Sequence, residues 1–327
     1  MVFVSVKLTN LRAMNVKSLP QLLDTFKDEA TCVKYFENLI WGGKPVCPHC
    51  KSDKTPYTLK KGYKCSNNEC YKKFTVKVGT VLESSKIPLR TWFAAVFLAT
   101  CHKKGISSVQ LALDLNVTQK TAWFMLHRIR EMLKDKTETK LSGIVEIDEA
   151  HIGGLEPNRH KSKRQAKDVD GRPTGLANDG TIYNKKKTVI AVIERGGKVV
   201  VKSVSGANVE SAKFMIDTYI QDGSDLMTDE SPIYVNTTKH LNRQTVNHGS
   251  FEFVNGTAHT NTVENFFSVL KRAIYGTYHQ VSAKHLPSYL NECAARFNNR
   301  DSNPYNNIDM FLSNSRGYLA YKNLIAK

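Results

Sequence analysis

Two kinds of hydrophobic patterning divide the chain. Up to about residue 141 the apolar positions recur at helical spacing. Leu22, Leu23, Phe26, Val33, Phe36, Leu39 and Ile40 form one such series, with Asp28-Glu-Ala opening a second helix that closes at Gly42-Gly43. Pro88 suits the first turn of a helix running through Cys101. Beyond Gly105, two amphipathic stretches flank Leu115-Asn116-Val117. Ser107 and Thr118 stand where each stretch needs a cap, and Ala122, Met125, Leu126 and Ile129 make the inward face of the second.

From Gly143 the period shortens. Ile144 to Ile147 reads as a short core strand running into Asp148 and a turn ended by Gly153-Gly154. Thr188 to Glu194 and Lys198 to Val204 form a hairpin around Arg195-Gly196-Gly197. A helix from Asn208 to about Gln221 follows, then a strand ending at Asp229, a short helix at Pro232 and a brief strand near Phe251 to Val254. Val263, Phe266, Phe267, Leu270 and Ile274 then give one apolar helical face, and a last helix covers Ala283 to Asn299. The pattern predicts a multidomain α/β protein: a helical segment over 1–44, a cysteine-rich unit over 45–80, a helix-turn-helix region over 81–141, a mixed-sheet domain over 142–300 and a tail over 301–327. Residues 155–187 interrupt the last domain with Arg159, Lys161, Lys163, Arg164, Lys167, Arg172 and Lys185 to Lys187, and read as a long basic loop that orders against DNA.

Charge sharpens the division. The chain carries a formal +17 over 327 residues. Residues 1–141 hold 24 Lys and Arg against 11 Asp and Glu, and the rest 23 against 19. The first part is therefore the nucleic-acid-holding part. RNA binders are equally basic, so charge alone says only nucleic acid. A hydrophobic content of 41% suffices for real cores. No apolar run reaches the roughly 20 residues that span a bilayer, and Met1 to Val6 is too short for a signal peptide's apolar core. The expected location is cytoplasmic, with nucleoid association in a bacterial host.

Cys47-Pro-His-Cys50 and Cys65-Ser-Asn-Asn-Glu-Cys70, separated by a Lys- and Tyr-rich hairpin, read as a zinc ribbon. Such a unit has little core, so structural Zn²⁺ supplies much of its folding free energy. Disulfides are the alternative, disfavoured in a reducing compartment. Cys32, Cys101 and Cys293 sit in apolar helical surroundings as core residues. Lys60, Lys61, Lys64, Lys72 and Lys73, interleaved with tyrosines, suggest a phosphate-facing surface, with a merely solvated face as the alternative. Gln119, Lys120 and Thr121 fall at the start of the second of the paired helices, where base edges are read. A plain helical hairpin is the alternative there. Lys161, Lys163 and Arg164 are the DNA-facing candidates of the basic loop.

Three acids carry the candidate chemistry. Asp148 and Asp229 each follow a brief apolar run, and Glu264 lies on the helix of the Val263 face, sharing a flank with Asn261, Ser268 and Lys271. With 81 and 35 positions between the acids, and with "IDEAHIGG", "HTNTVENFFSVLKRAIYGTYHQVSAKHLPSYLNECAARFNNR" and the upstream "CPHC", the chain resembles the DDE transposases, most closely the IS1595 (ISXO2-like) insertion-sequence family, over about Asp28 to Arg300. The resemblance implies a ribonuclease-H-like core in which the first and fourth strands adjoin, making Asp148 and Asp229 neighbours. It implies that Asp148, Asp229 and Glu264 hold two Mg²⁺ (or Mn²⁺), that Lys271 contacts DNA, and that His259 and Asn261 lie near the site. Water would cut a strand at the transposon end and the freed 3′-OH would attack target DNA. The partners are then double-stranded DNA, as inverted repeats and target, and a second copy at least. Glu146 shares a strand face with Asp148 and competes with it as a ligand, though the family pattern favours Asp148. Glu149 and Glu230 read as solvated. Three carboxylates without metal repel one another, so an incompletely formed metal-free site is expected. The alternatives are an inert DNA-binding regulator and a nuclease that cuts without joining. Tyr275 and Tyr278 lack the Arg-His-Arg context of a tyrosine recombinase.

Overall fold

The computed structural model describes residues 16–136, 140–154, 160–180, 186–235, 237–238, 240–250, 252, 254–302 and 307–326. Among them, residues up to 135 together with those from 299 onward form one compact unit, and residues 136 to 298 form another.

The first unit begins with α1 (Leu19–Thr25), capped by Ser18, and α2 (Glu29–Trp41), capped by the Asp28 carboxylate on Thr31 N and closed by Gly42 in the left-handed region. Next comes an antiparallel three-stranded ribbon of β1 (Tyr57–Thr58), β2 (Tyr63–Lys64) and β3 (Lys73–Phe74). α3 (Leu89–Cys101) is buried along most of its length and supplies the unit's centre. α4 (Ser108–Leu115) and α5 (Gln119–Leu133) follow, joined through Asn116 at φ 50. Ser107 accepts from Gln110 N and Thr118 from Thr121 N, so both expected caps are in place. Ala122, Met125, Leu126 and Ile129 are buried as the periodicity requires.

The second unit is a five-stranded mixed sheet between helices. β4 (Ile144–Ile152) is central. β5 (Gln165–Lys167) and β6 (Pro173–Ala177) pair only with each other as a separate antiparallel ribbon, so the basic stretch expected as a bare loop is partly built. β7 (Lys187–Glu194) and β8 (Val199–Val204) form the hairpin turned at Gly196, α6 (Val209–Tyr219) crosses over, and β9 (Asp225–Thr228) and β10 (Asn242–Thr245) complete the sheet. The order is β10-β9-β4-β7-β8. β7 runs antiparallel to β4 and β8, and β9 runs parallel to β4 and β10. α6 covers one face; α7 (Asn261–Ala273) and α8 (Leu286–Asn298) cover the other. The face formed by Val263, Phe266, Phe267, Leu270 and Ile274 is buried as predicted.

Two strands depart from expectation. The strand expected near Phe251 to Val254 includes Phe251 and Phe253, which lie outside the described residues, and the fifth strand among the described residues is β10, which was not foreseen. β10 reads Asn-Arg-Gln-Thr and is mostly exposed, so backbone pairing with β9 holds it and no apolar signal marks it. β4 does not stop before Asp148 but continues to Ile152, paired with β7 throughout.

The chain then returns to the first unit through α9 (Asn307–Ser313) and α10 (Tyr321–Ile325). Ile308, Phe311 and Leu312 are buried, Tyr35 OH donates to Asp309 (2.7 Å), and Asn314 donates to the carbonyls of Met132 and Lys134 at the end of α5. Residues 301–327, expected as a tail, thus include part of that unit's core. Among the described residues no helix is long and apolar enough to cross a membrane.

Candidate functional site

β4 lays out the site. Its alternation buries Val145 and Ile147 beneath α6, and Ala150 and Ile152 beneath α7 and α8. By the two-residue period of a strand, Glu146 and Asp148 share the α7 side and Glu149 faces α6. On β9, Leu226 lies beneath α6, so Met227 and the following Asp229 take the α7 side. Ile144 pairs with Asp225 and Glu146 with Met227, an offset of 81 residues that also separates Asp148 from Asp229. The two aspartates thus stand at equivalent heights on neighbouring parallel strands, just beyond the last β4–β9 pair. Glu264 lies in the first turn of α7, the helix on that same face.

The electrostatics record this convergence. Burial pushes the Asp148 carboxyl up to about 7. A hydrogen bond from Glu149 N (2.8 Å) opposes the rise, and the negative charges of Glu149, Asp229 and Glu264 add to it. Asp229 accepts from Ser231 N (3.0 Å), and Arg243 holds its backbone by donating to Asp229 O (3.2 Å) and Thr228 Oγ1 (3.0 Å). Glu264 accepts from Thr260 Oγ1 (2.9 Å). Glu149 is not solvated: half-buried, it accepts from Tyr234 OH at 2.6 Å, and burial raises its carboxyl. Glu230 is exposed yet accepts from Gly249 N.

Carboxylate oxygens are the donors a hard divalent cation takes. Among the described residues these acids do not bring their oxygens within 4.8 Å of one another.

Glu146 is engaged elsewhere. With 0% exposure, it accepts from Arg195 Nε (2.6 Å), Thr262 N (2.8 Å), Thr262 Oγ1 (2.9 Å) and Val263 N (3.0 Å). His259 Nδ1 stands 3.3 Å from the same carboxylate. The Glu146 carboxylate is thus occupied by donors from α7 and the β7–β8 turn. Asn261 and Lys271 are exposed on α7, at its first residue and in its last turn.

In the first unit, Cys47, Cys50, Cys65 and Cys70 bring their sulfurs within 4.8 Å of one another. Cys47 and Cys70 are 3.8 Å apart, and Cys50 and Cys65 3.5 Å. Four sulfurs at about 2.3 Å from a tetrahedral zinc would be separated by about 3.8 Å, so the cluster has the dimensions of a structural zinc site.

A model of the ISXO2-like transposase domain matches residues 140–298, and a model of the transposase zinc-ribbon domain of the same family matches residues 27–73. The chain belongs to the IS1595 family of ISXO2-like transposases. A relative from Halobacterium salinarum, described as an uncharacterized protein in transposable element ISH50, is 28% identical over 278 residues, covering 82% of this chain and 90% of the relative.

The basic residues of this IS1595-family chain are placed as follows. Lys60, Lys61, Lys72 and Lys73 are exposed around the zinc ribbon, and Lys64 lies over the Tyr71 ring at 4.3 Å. At the start of α5, Gln119 donates to Ser108 Oγ, Lys120 lies over the Tyr321 ring, and the amide and hydroxyl of Thr121 are tied to Thr118 in the cap. Lys161 is exposed, Lys163 pairs with Asp179 (2.6 Å), and Arg164 is half-buried beside β5. Sequence reasoning missed Arg195 and Arg243. A charged residue inside a core strand, such as Glu146, was the signal that an arginine had to meet it.

Proposed function

We propose that this transposase is a DDE enzyme with a ribonuclease-H-like core, which cuts DNA at its transposon ends and joins the freed 3′-OH to a target. The observation that carries the reading is the common 81-residue offset, which sets Asp148 beside Asp229 on the face that α7 covers with Glu264. The strand order supports it, with the sheet's first strand lying between its second and fourth.

Asp148, Asp229 and Glu264 would hold two Mg²⁺ or Mn²⁺, which when bound supply charge stabilisation to the attacking and leaving oxygens of a phosphodiester. Asp148 is the half-buried member, fixed in the central strand; Glu264 reaches in from the exposed flank of α7. Lys271, two turns along that flank, offers a cation to a phosphate of the substrate. The start of α5, with Gln119, Lys120 and Thr121, acts as the reading end of a helix-turn-helix. The lysines around the zinc ribbon and Lys161, Lys163 and Arg164 hold backbone phosphates. Two ends must be joined together, so the active form contains at least two copies.

Incubation with Mg²⁺ and a donor-end duplex bearing a free 3′-OH tests the reading. Strand-transfer products are expected, and Asp229→Asn should abolish them while leaving end binding nearly intact. Cleavage without joining would indicate a nuclease, and absence of any chemistry a DNA-binding regulator. Joining by Asp229→Asn at the wild-type rate would refute the site.

A further inference from the structure

Burying a carboxylate against a partly exposed guanidinium in a sheet domain is no obvious route to stability. Desolvation of the pair offsets most of its attraction, and an apolar residue at position 146 would fill the core at less cost. What the pair does provide is geometry. α7 has no side-chain cap of its own, because Thr260 makes no capping hydrogen bond. The cap comes from β4 instead: Glu146 Oε2 accepts from the N–H groups of Thr262 and Val263, the orphan donors of the first turn. Arg195, in the β7–β8 turn, holds the other oxygen of Glu146 and also donates to Thr257 O (2.7 Å) and His259 O (3.0 Å). The segment leading into α7 and its first turn are thereby pinned to the central strand of the sheet, which is paired on both sides. Glu146 lies one pleat from Asp148 on the same face, and Glu264 directly follows Val263.

We infer that Glu146 and Arg195 are positioning residues of the catalytic centre. They set the height and rotation of α7 so that Glu264 meets the cation held by Asp148 and Asp229. The inference rests on the metal-binding reading above and adds to it the reason Glu264 arrives in place. Neither residue touches substrate; both act through the first turn of α7.

The test uses the full-length, zinc-loaded chain and Mn²⁺ alone as probe, with binding read by electron paramagnetic resonance and backbone amide exchange read at Thr262 and Val263. Glu146→Gln and Arg195→Lys are expected to weaken Mn²⁺ binding by about tenfold or more, the usual effect of removing a group that orients a metal ligand. Both should speed exchange at the two amides, and end-DNA affinity should stay at the wild-type level. Thr262→Val, which removes one hydroxyl donor to Glu146 and conserves volume, should move both readouts the same way by roughly threefold. It keeps the inference testable if the charge variants do not fold. Wild-type Mn²⁺ affinity in folded variants whose amides exchange faster would overturn the inference and leave the pair as core structure only. Asp148→Asn is the separate arm: unchanged Mn²⁺ affinity there would overturn the metal reading itself, and the inference with it, while the exchange data would still report whether the staple exists.

Discussion

Asp148→Asn should stabilise the metal-free protein, and the gain should depend on pH. The Asp148 carboxyl is pushed up to about 7 in the fold from its ordinary 3.8, raised first by burial and then by three neighbouring negative charges. The folded state therefore keeps a proton that the unfolded state releases. This favours folding at low pH and is lost as pH rises from about 4 to about 7. If the whole shift were felt, ionising Asp148 in the fold would cost about 4 kcal/mol above pH 7. Water entry and side-chain relaxation reduce this to about 2 kcal/mol, in keeping with an effective interior dielectric nearer 20 than 4. Asparagine is nearly isosteric and can still accept from Glu149 N, so the variant removes the charge and little else. Thermal unfolding in a magnesium chelator at pH 8 should show the variant's second unit melting higher, at roughly 2–4 °C per kcal/mol for a unit of this size. At pH 4 the two proteins should coincide. Millimolar Mg²⁺ should raise the wild-type midpoint and leave the variant's unchanged. A variant less stable than wild type at pH 8, or a difference that ignores pH, would refute the picture of a carboxylate held at a cost for the sake of a cation.

Other predictions address the remaining parts. Removal of zinc by a strong chelator, or Cys47→Ser, should unfold the ribbon and abolish end binding while the second unit keeps its melting transition; retained end binding would refute a structural role for the cluster. Lys72→Ala with Lys73→Ala should make the salt dependence of DNA binding shallower, by about 1.8 in the slope of log affinity against log salt concentration if both contact phosphate. An unchanged slope would remove that face from the interface. Glu292, 1% exposed and accepting from Tyr278 OH and Arg296, should cost about 3–5 kcal/mol when replaced by alanine, measured by denaturant unfolding, because the Arg296 charge stays buried.

Much of the fold was legible where one physical signal dominated. The α7 face, the caps at Ser107 and Thr118 and the paired cysteines each follow from a short-range rule, and the structure has all of them. The placement of Asp148 beside Asp229 was expected only through the family resemblance, since strand pairing across 81 residues leaves no local trace. β4 was read too short because Asp148-Glu-Ala-His interrupts the apolar run that marks a buried strand, although its alternation continues to Ile152. β10 is invisible because an edge strand of Asn, Arg, Gln and Thr carries no apolar period, its hold on β9 coming from backbone pairing and polar side-chain bonds. α9 has seven residues, about two turns, too few for its buried Ile308, Phe311 and Leu312 to establish a period. Arg195 sits in a turn that reads as solvent-facing until its reach to Glu146 and to two carbonyls is seen.

The return of α9 and α10 to the first unit has a consequence for biosynthesis. Residues 136–298 leave the ribosome as an uninterrupted stretch and can fold as soon as they emerge, whereas the first unit must wait for Ile308, Phe311 and Leu312. Until then the apolar surface those three residues cover stays open to water. A nascent chain would thus complete its sheet domain before its zinc-ribbon unit, and a nonsense codon near residue 300 should yield a molecule whose sheet is sound but whose first unit lacks part of its core.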